Sequence, residues 1–546
     1  MAALVVFLGL TLPWLNPLTW GPMTGALPLW FSWVGASVAL GVIAAAPAGW
    51  STRRLMRMAA GAWLAAALIS SVMGLLQYVG AVEFLSGWVS PSALGVAFAN
   101  LRQRNQFASL TSMGLVALLW WVTCHAVPHT RSQRSSSTPT LPALPLEAAP
   151  RLHRIGTLGA ALLLGVGNAA SSSRTGLMQL ALIAALTLIW GQLRHPAVRR
   201  TLLATVLIYG LASVALPWLA GLDPFGSGAW ARLRDGDAAC ASRLTLWGNV
   251  LHLIAQKPWL GWGWGELDYA HFITLYPGER FCDILDNAHN LPLHLAVELG
   301  VPAAVLLCGA ALWAGWRAKP WRETDPLRQL AWSVVAVILL HSLLEYPLWY
   351  GYFLWPTAFA FGLGLSARGA DGAEARAARP AVVTPAAHAN GGLRRQALPG
   401  LVMAVLAVWC ALDYTVASNI YAPRRGAGPL DDRIALGLKM PWWGYQADYA
   451  LVNRPDDDEP SPPPALFGRT VYNLLDARLM MAYARSLAEH GQVDKARHVA
   501  QRVFEFRNSM SKSWTSSCAE PRAPGVAVPF QCEQPQQDYS WRDVAP

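Results

Sequence analysis

The chain has 546 residues, of which 54% are apolar and only 14% are charged, and its formal net charge is +10. Soluble globular proteins carry about 25% charged residues, so this composition excludes an ordinary soluble enzyme and a disordered chain. The first charged side chain is Arg53, and long apolar blocks exclude an outer-membrane barrel, whose strands alternate in polarity. The remaining class is a polytopic helical membrane protein.

Eleven apolar blocks are long enough to cross a membrane as helices, because about 20 predominantly apolar residues span the ~30 Å hydrocarbon core. The blocks cover residues 2–17, 27–47, 57–80, 106–125, 155–171, 176–193, 201–220, 291–315, 329–345, 349–367 and 397–417. We therefore predict an all-α fold, a polytopic transmembrane helical bundle of about 11 spans. The fifth and sixth blocks can also be counted as one interrupted region.

Basic residues occur in every second loop between these blocks. The five Arg-rich loops carry Arg53, Arg54 and Arg57; Arg131, Arg134, Arg151 and Arg154; Arg194, Arg199 and Arg200; Arg317, Lys319, Arg322 and Arg328; and Arg368, Arg376, Arg379, Arg394 and Arg395. Such loops stay in the cytoplasm, which predicts an inner N-terminus. We predict a transmembrane catalytic domain, 1–417, with a large outer loop at 221–290, and an outer helical domain, 418–546.

The outer regions contain two pairs of cysteines. Cys240 and Cys282 share the long loop, and Cys518 and Cys532 share the C-terminal domain. Paired cysteines are typical of an oxidising compartment, so we predict the disulfides 240–282 and 518–532. Residues 471–508 have the pattern of two amphipathic helices. This pair is similar to one tetratricopeptide (TPR) unit, although a docked helical cap is the simpler interpretation.

Polar and charged side chains beside membrane spans are candidates for function because they are costly there. Those on the outer side are Arg104, Gln106, Arg174, Arg243, His289, Asn290, Glu345 and Tyr346. Arginine suits phosphate, since its permanently charged fork makes paired hydrogen bonds, and a histidine can accept a proton near neutral pH. The set predicts a site for a membrane-anchored anion. The alternatives are that Arg102 and Arg104 only contact lipid headgroups and that Arg174 caps helix carbonyls.

The long outer loop has a pattern of its own. Leu246, Val250, Leu253 and Ile254 share one face of a predicted helix that begins near Arg243 and stops at Pro258, and we expect this helix at the membrane surface. Trp259, Trp262 and Trp264 suit either the membrane interface, which is the commoner role, or a sugar platform. His294 and Glu298, four residues apart, predict a structural pair.

Taken in order, these motifs resemble the bacterial O-antigen ligase and polymerase superfamily, and most closely its protein O-oligosaccharyltransferase branch, the pilin-glycosylating enzymes. The matching pieces are Arg104-Asn105-Gln106-Phe107-Ala108, Ser173-Arg174-Thr175-Gly176, Arg243…Trp247…Lys257-Pro258…Gly261-Trp262-Gly263-Trp264-Gly265, His289-Asn290 with Glu298-Leu299-Gly300, and the run from His341 to Trp349. They cover roughly residues 100–365.

The resemblance implies a GT-C-like fold and a metal-independent, inverting transfer of a glycan from undecaprenyl diphosphate to a serine or threonine. The acceptor would be a periplasmic or pilin protein, at the periplasmic face of the inner membrane, with no cofactor and no nucleic acid involved. Arg174 and Arg243 match diphosphate-binding arginines, and His289 matches the essential histidine. Gln106 and Tyr346 match polar positions needed in this branch. Arg104, Glu345 and Asn290 complete the expected substrate-binding set.

Other functions stay open at this point. O-antigen ligation to lipid A core and O-antigen polymerisation share the donor and differ only in the acceptor, which the sequence does not plainly encode. A transporter for the lipid-linked glycan is less favoured. Transporters usually have related halves and polar residues at mid-membrane, whereas here the polar residues gather on one side and no repeat is found.

Overall fold

The structure is a computed structural model of the chain, and it describes residues 2–16, 26–45, 52–126, 148–234, 236, 239–365, 389–453, 460–519 and 527–546. All regular secondary structure in these ranges is helical, and they contain no strand. The predicted all-α class is therefore confirmed for this part of the chain.

The α-helices are numbered here in chain order. They are α1 Ala2–Thr11, α2 Ala26–Ala45, α3 Thr52–Tyr78, α4 Arg104–Ala126, α5 Ala148–Ala170, α6 Arg174–Ile189, α7 Pro196–Leu219, α8 Gly228–Arg234, α9 Arg243–Gln256, α10 Leu267–Ile273, α11 Leu291–Leu299, α12 Val301–Ala318, α13 Pro326–Ser342, α14 Gly351–Leu365, α15 Ala389–Tyr421, α16 Leu430–Gly437, α17 Gly444–Val452, α18 Ala477–Glu489, α19 Val493–Phe504, α20 Ser509–Ser516 and α21 Trp541–Val544. Every predicted apolar block corresponds to helix. The block 291–315 is divided, because the chain turns at Gly300, whose φ is +88°.

Five helices among the described residues are long and apolar enough to cross a membrane, by length and composition. They are Arg53–Tyr78, Arg104–Cys124, Pro196–Leu219, Val301–Arg322 and Gly400–Tyr421. Shorter apolar helices cover Ala2–Leu15, Arg154–Ala170, Arg174–Ile189 and Pro326–Ser342. These helices indicate a multi-pass membrane protein. The count of 11 spans and the predicted orientation stay predictions.

The chain divides into two compact units. Unit 1 comprises residues 1–236 and 312–407, and unit 2 comprises residues 237–311 and 408–546. The predicted boundary at residue 417 concerns where the membrane part of the chain ends, and it stays a prediction.

Helix α4 is the centre of unit 1. In the apolar 18-residue part of its candidate span 89% of the residues are buried, and the helix packs against α3, α5, α6 and α13. Polar bonds tie it to two of these neighbours, since Ser109 Oγ accepts from Gln179 Nε2 of α6 at 2.7 Å and is hydrogen-bonded to His341 Nδ1 of α13 at 2.9 Å. The start of α4 is therefore held by a packed and hydrogen-bonded bundle.

Unit 2 joins the long loop to the C-terminal region. Phe272 of α10 is fully buried in the core formed by α18 and α19, the two helices predicted within 471–508. The buried Arg502 of α19 donates to the carbonyls of Phe272 and Thr274 at 2.6 and 2.8 Å. The loop segment around α10 is thus an integral part of this core.

Both predicted disulfides form in unit 2. The Cα atoms of Cys240 and Cys282 are 5.1 Å apart, and those of Cys518 and Cys532 are 5.3 Å apart. The pairing prediction is therefore confirmed.

The helix predicted from Arg243 onward is α9, which ends at Gln256, close to the predicted stop at Pro258. Its four apolar residues, Leu246, Val250, Leu253 and Ile254, are buried as predicted, but against protein. They form a cluster with Phe281 and Val297 of the same unit. The apolar face of α9 is therefore covered by protein, and the expectation that it lies on the membrane surface is wrong.

Candidate active site

Two of the predicted arginines are the first residues of neighbouring helices in unit 1, Arg104 in α4 and Arg174 in α6. Ser173 caps α6 by accepting a hydrogen bond from the Gly176 amide at 3.1 Å, and its own hydroxyl donates to Asn105 Oδ1 at 2.6 Å. This bond brings the two helix starts together. A helix N-terminus carries partial positive charge and favours an anion, and at this junction each of the two N-termini also begins with an arginine.

Glu345, in the loop after α13, accepts hydrogen bonds from residues of this junction. Asn105 Nδ2 donates to its Oε1 at 2.9 Å, and Gln103 Nε2 donates to its Oε2 at 3.2 Å. The carboxylate is 4% exposed. The neighbouring Tyr346 is half-buried, and its ring stacks on Tyr350 with centroids 6.2 Å apart. Glu345 therefore sets the position of the segment that carries Arg104, and a direct substrate contact by Glu345 stays a prediction.

Gln106 lies in the core of unit 1, where it is 1% exposed. Its Oε1 accepts a hydrogen bond from the Tyr352 hydroxyl at 2.5 Å. Tyr352 also lines an apolar groove of about 390 Å³ formed by residues of α1, α2, α3 and α14, together with Trp14. Gln106 thus follows Asn105 of the junction in sequence, and its hydrogen bond to Tyr352 connects it to a groove that suits a hydrocarbon chain.

The predicted residues Arg243, His289 and Asn290 belong to unit 2, where each lies at a helix start. Arg243 is the first residue of α9. Asn290 caps α11, its Oδ1 accepting from the Leu293 amide at 3.1 Å, and the His289 amide donates to Asn287 Oδ1 at 2.9 Å. Trp247, one turn after Arg243, donates from its indole to the Ala288 carbonyl at 3.2 Å. This bond joins the segments that carry Arg243 and His289.

Left-handed backbone marks three of these segments. Arg102, Ser172 and His289 have φ values of +60°, +50° and +50°. Non-glycine residues rarely adopt this conformation, and it concentrates at functional sites where the surroundings enforce it. Two of the three lie two residues before the helix starts at Arg104 and Arg174, and the third is the predicted histidine itself.

The glycine-rich segment after α9 is clamped to the end of α11. The amides of Trp262 and Gly263 donate to the carbonyls of Val297 and Glu298 at 2.8 and 3.0 Å. A Cβ on Gly261 would lie 2.3 Å from the Glu298 oxygen, and one on Gly300 would lie 2.2 Å from the Trp259 oxygen. The two backbones therefore approach so closely that only glycine fits at both positions.

His294 and Glu298 form the predicted pair on α11, which lies outside the candidate membrane spans. Their Nε2 and Oε2 atoms are 3.3 Å apart, and both side chains are buried. Burial lowers the pKa of His294 to about 4, with His289 adding to the shift, and burial raises the pKa of Glu298 to about 7. Each shift favours the neutral form of its group, as expected for a support beneath the His289 segment.

Family comparisons match three stretches of the chain. The O-antigen ligase family matches residues 159–308, the C-terminal part of the virulence factor membrane-bound polymerase family matches 329–515, and the protein glycosylation ligase family matches 97–122. These matches confirm the resemblance to the O-antigen ligase and polymerase superfamily and to its protein-glycosylating branch.

Two curated relatives come from Acinetobacter baylyi. A general O-oligosaccharyltransferase is 33% identical over 123 residues, which cover 22% of this chain and 21% of that protein. A ComP-specific O-oligosaccharyltransferase is 28% identical over 201 residues, or 36% of this chain and 35% of that protein. The chain thus spans between about a fifth and about a third of the length of these relatives.

All the predicted site residues lie inside the matched stretches of this superfamily. Arg104 and Gln106 fall in 97–122, while Glu345 and Tyr346 fall in 329–515. The stretch 159–308 holds Arg174, Arg243, His289 and Asn290. Their catalytic and binding roles stay predictions.

The structure also reveals positioning residues to which the sequence analysis gives no role. Ser173 and Asn287 hold Arg174 and His289, and a Ser or Asn at a helix start is a recognisable capping signal. No comparable signal exists for Gln103, because its partner Glu345 is 242 residues away along the chain.

Proposed function

We propose that the chain is a protein O-oligosaccharyltransferase that moves a glycan from undecaprenyl diphosphate to a serine or threonine of a periplasmic or pilin protein. The names of the two relatives support this class of activity. The observation that carries the proposal is the junction in unit 1, where hydrogen-bonded helix starts each begin with an arginine. A polyprenyl diphosphate offers the anion that such a junction favours.

The donor's tail also has a matching surface. The apolar groove in unit 1 is lined by Tyr352, which is hydrogen-bonded to Gln106 beside the junction. A lipid diphosphate combines an anionic head with a long hydrocarbon tail, so the junction and the groove together suit the two parts of one molecule. This arrangement favours a lipid-linked donor over a soluble nucleotide sugar.

In the proposed reaction the acceptor hydroxyl oxygen attacks C1 of the first sugar, and the bond between C1 and the diphosphate oxygen breaks. Undecaprenyl diphosphate leaves with the electron pair, and direct displacement inverts the anomeric centre. Because a diphosphate is already a good leaving group, the main tasks of the protein are placement and charge stabilisation. Arg174 and Arg243 are proposed to neutralise the charge that develops on the diphosphate.

His289 is proposed to take the proton from the attacking hydroxyl and release it to solvent, or to orient that hydroxyl. General-base assistance of this kind is typically worth about 10²–10⁴-fold in rate. The left-handed backbone at His289, held by Asn287 and by the cap Asn290, supports a fixed orientation for this residue. We propose that the reaction needs no metal ion or cofactor.

The proposed location is the inner membrane, with the reaction at the periplasmic face. The alternation of Arg-rich loops favours this orientation, since it puts residues 221–290 outside. The proposed architecture is a GT-C-like bundle of about 11 spans, 1–417, followed by a periplasmic helical domain, 418–546, whose helix pair is TPR-like. The proposed partners are the lipid-linked glycan, the acceptor protein and the bilayer, with no nucleic acid.

The second candidate is O-antigen ligation or polymerisation, which the matches at 159–308 and 329–515 favour. Both use the same class of donor and differ in the acceptor. Transport of the lipid-linked glycan is less favoured, because it gives the arginines and His289 no chemical role.

One experiment separates these functions. Purified chain in lipid nanodiscs is given an undecaprenyl-diphosphate-linked oligosaccharide with a pilin, lipid A core, or a second lipid-linked glycan. We expect the intact mass of the pilin to rise by the mass of the glycan. Transfer only to core lipid or to the second glycan would identify a ligase or a polymerase, and no transfer to any acceptor would refute the proposed function.

A further inference from the structure

A second concave site lies wholly within unit 2, apart from the predicted catalytic residues. It is a cavity of about 450 Å³ lined by Lys257, Trp262, Gly263, Trp264, Glu266, Tyr269 and Tyr472. Its volume is in the range of about 300–1,000 Å³ that is usual for small-molecule sites. Four aromatic rings, one ammonium group and one carboxylate therefore surround a single open space.

From this lining we infer that the cavity binds a sugar of the glycan chain, beyond the sugar whose anomeric carbon reacts. This inference rests on the proposed function and assigns part of its substrate. Aromatic faces cover the C–H faces of a sugar ring, while charged and phenolic groups hydrogen-bond its hydroxyls.

The walls of the cavity are held in place by both parts of unit 2. Trp262 is held by two hydrogen bonds: its backbone amide donates to the Val297 carbonyl, and its indole donates to the Leu253 carbonyl at 3.0 Å. Lys257 Nζ lies 3.9 Å from the centre of its ring. Two tyrosines also line the cavity, and the rings of Tyr269 and Tyr472 are 4.7 Å apart, with their hydroxyls 3.5 Å apart. The loop supplies Tyr269 and the C-terminal region supplies Tyr472, which gives that region a place in ligand binding.

The polar groups distinguish this cavity from a membrane-anchoring belt of tryptophans. Glu266 lines it together with Lys257, and burial raises the pKa of the Glu266 carboxyl while Lys257 opposes that shift. Gly263 leaves room beside Glu266, since a Cβ there would lie 3.0 Å from Glu266 Cγ. Trp259 is exposed, as Trp264 is, but it does not line the cavity, so the interface role fits Trp259 better.

The position of the cavity relative to α11 explains why it should bind a sugar beyond the one that reacts. Trp264 packs against His294 with ring centroids 6.2 Å apart, and His294 lies on α11, whereas His289 precedes that helix. The clamped segment reaches Val297 and Glu298, three to four residues farther. The cavity is therefore displaced from His289, where the first sugar is proposed to react.

The test compares two donors that begin with the same sugar, undecaprenyl-diphosphate-linked N-acetylglucosamine and an undecaprenyl-diphosphate-linked oligosaccharide. Trp264→Ala and Tyr472→Ala should raise KM for the oligosaccharide donor about fivefold or more, as the loss of an aromatic contact predicts. KM for the single-sugar donor should not change. Trp259→Ala is the matched control and should leave both KM values unchanged, while Trp264→Phe should restore part of the lost affinity.

Equal KM changes for both donors, or no change for either, would overturn the inference. A rise only in KM for the acceptor protein would assign the cavity to the acceptor and overturn it as well. Free oligosaccharide, titrated against the tryptophan fluorescence of the full chain, provides a readout that does not need transfer. Wild type should bind it and Trp264→Ala should bind it about fivefold more weakly. Absence of binding at millimolar oligosaccharide would overturn the inference. Binding of the oligosaccharide without any transfer would contradict only the proposed function.

Discussion

The hydroxyl of Ser173 donates to Asn105 Oδ1 at 2.6 Å, and this one bond links the first turns of α6 and α4. The same oxygen caps α6 through the Gly176 amide. Ser173→Ala should lower the free energy of unfolding by about 1–2 kcal/mol, as for the loss of other helix caps. It should also lower the transfer rate, because Arg104 and Arg174 lose their common support.

Asn508→Ala is the matched control for that change. Asn508 caps α20 in unit 2, its Oδ1 accepting from the Ser511 amide at 2.8 Å. It should cost a similar amount of stability and leave transfer intact. Chemical unfolding and transfer assays on both variants give the comparison, and equal rates for Ser173→Ala and wild type would contradict the proposed importance of the link.

Arg174→Ala, Arg243→Ala and His289→Ala should each abolish transfer while leaving the amount of protein in the membrane unchanged. In the proposed mechanism these substitutions remove charge stabilisation or the proton acceptor, and they do not remove packing. Arg425→Ala, at an exposed arginine outside the predicted site, is the control. Intact mass of the acceptor and immunoblots of membranes give the two readouts. Full activity in all three site variants would remove the proposed site.

The close approach of the loop to the end of α11 predicts a strong effect of one methyl group. Gly300→Ala puts a Cβ 2.2 Å from the Trp259 oxygen at a residue with φ of +88°, so it should lower the free energy of unfolding by more than about 2 kcal/mol. Gly309→Ala in α12 meets nothing within 4 Å and should be neutral or slightly stabilising. Thermal unfolding followed by tryptophan fluorescence measures both. Similar stability of the two variants would show that the contact between Gly300 and Trp259 can relax at little energetic cost.

The pair His294–Glu298 predicts how stability depends on pH. The raised pKa of Glu298, about 7, gives a contribution that is complete at acidic pH and is lost as pH rises through about 7. The lowered pKa of His294, about 4, gives a contribution that is present above its ordinary pKa and is lost as pH falls toward 4. The two losses run in opposite directions and offset each other between about pH 4.5 and 6.5, the ordinary pKa values of the two groups, so stability should be highest in this range and slightly lower on either side.

Glu298→Gln should remove the alkaline decline, raising stability at pH 9 on the order of 1–3 kcal/mol relative to wild type. Glu279→Gln, at an exposed glutamate of the same unit, should follow the wild-type profile. Unfolding midpoints measured from pH 4 to 9 check this. An unchanged alkaline limb in Glu298→Gln would mean that the buried carboxyl does not govern it.

The two disulfides should differ in their effect on function. Cys240–Cys282 closes a separation of 42 residues and Cys518–Cys532 one of 14, so their removal should cost roughly 4 and 3 kcal/mol. Only Cys240→Ser with Cys282→Ser should also slow transfer, because Cys240 lies just before Arg243 and Cys282 lies just before the His289 segment. Transfer rates of the two double variants decide this, and an equal loss in both would point to stability alone.

Periodicity predicted the helices well, but not what covers them. The apolar stripe on α9 correctly predicted a buried face, yet Leu246 and Leu253 pack on protein, because hydropathy reports burial and not the partner. The block 291–315 is continuous in hydropathy, and it divides at Gly300, where φ is +88° and the Trp259 carbonyl approaches closely.

The candidate site shows the same limit. Motifs identified Arg104 and Arg174, since charged residues beside apolar blocks stand out. The bond from Asn105 to Glu345 joins positions 240 residues apart, and local sequence contains no signal for such a contact. The left-handed backbone at His289 was equally hidden, because the residue type does not require it.

The joint at Gly300 has a consequence for which hydroxyls can be modified. Helix α11 has nine residues, about 14 Å in length, and passes into α12 without a loop. If α12 spans the bilayer, the His289 imidazole lies no farther from the lipid headgroups than about the length of α11. Under the proposed function, acceptors would present their modified residue on a segment that can reach the membrane, which favours extended tails and exposed termini over the flat face of a folded domain.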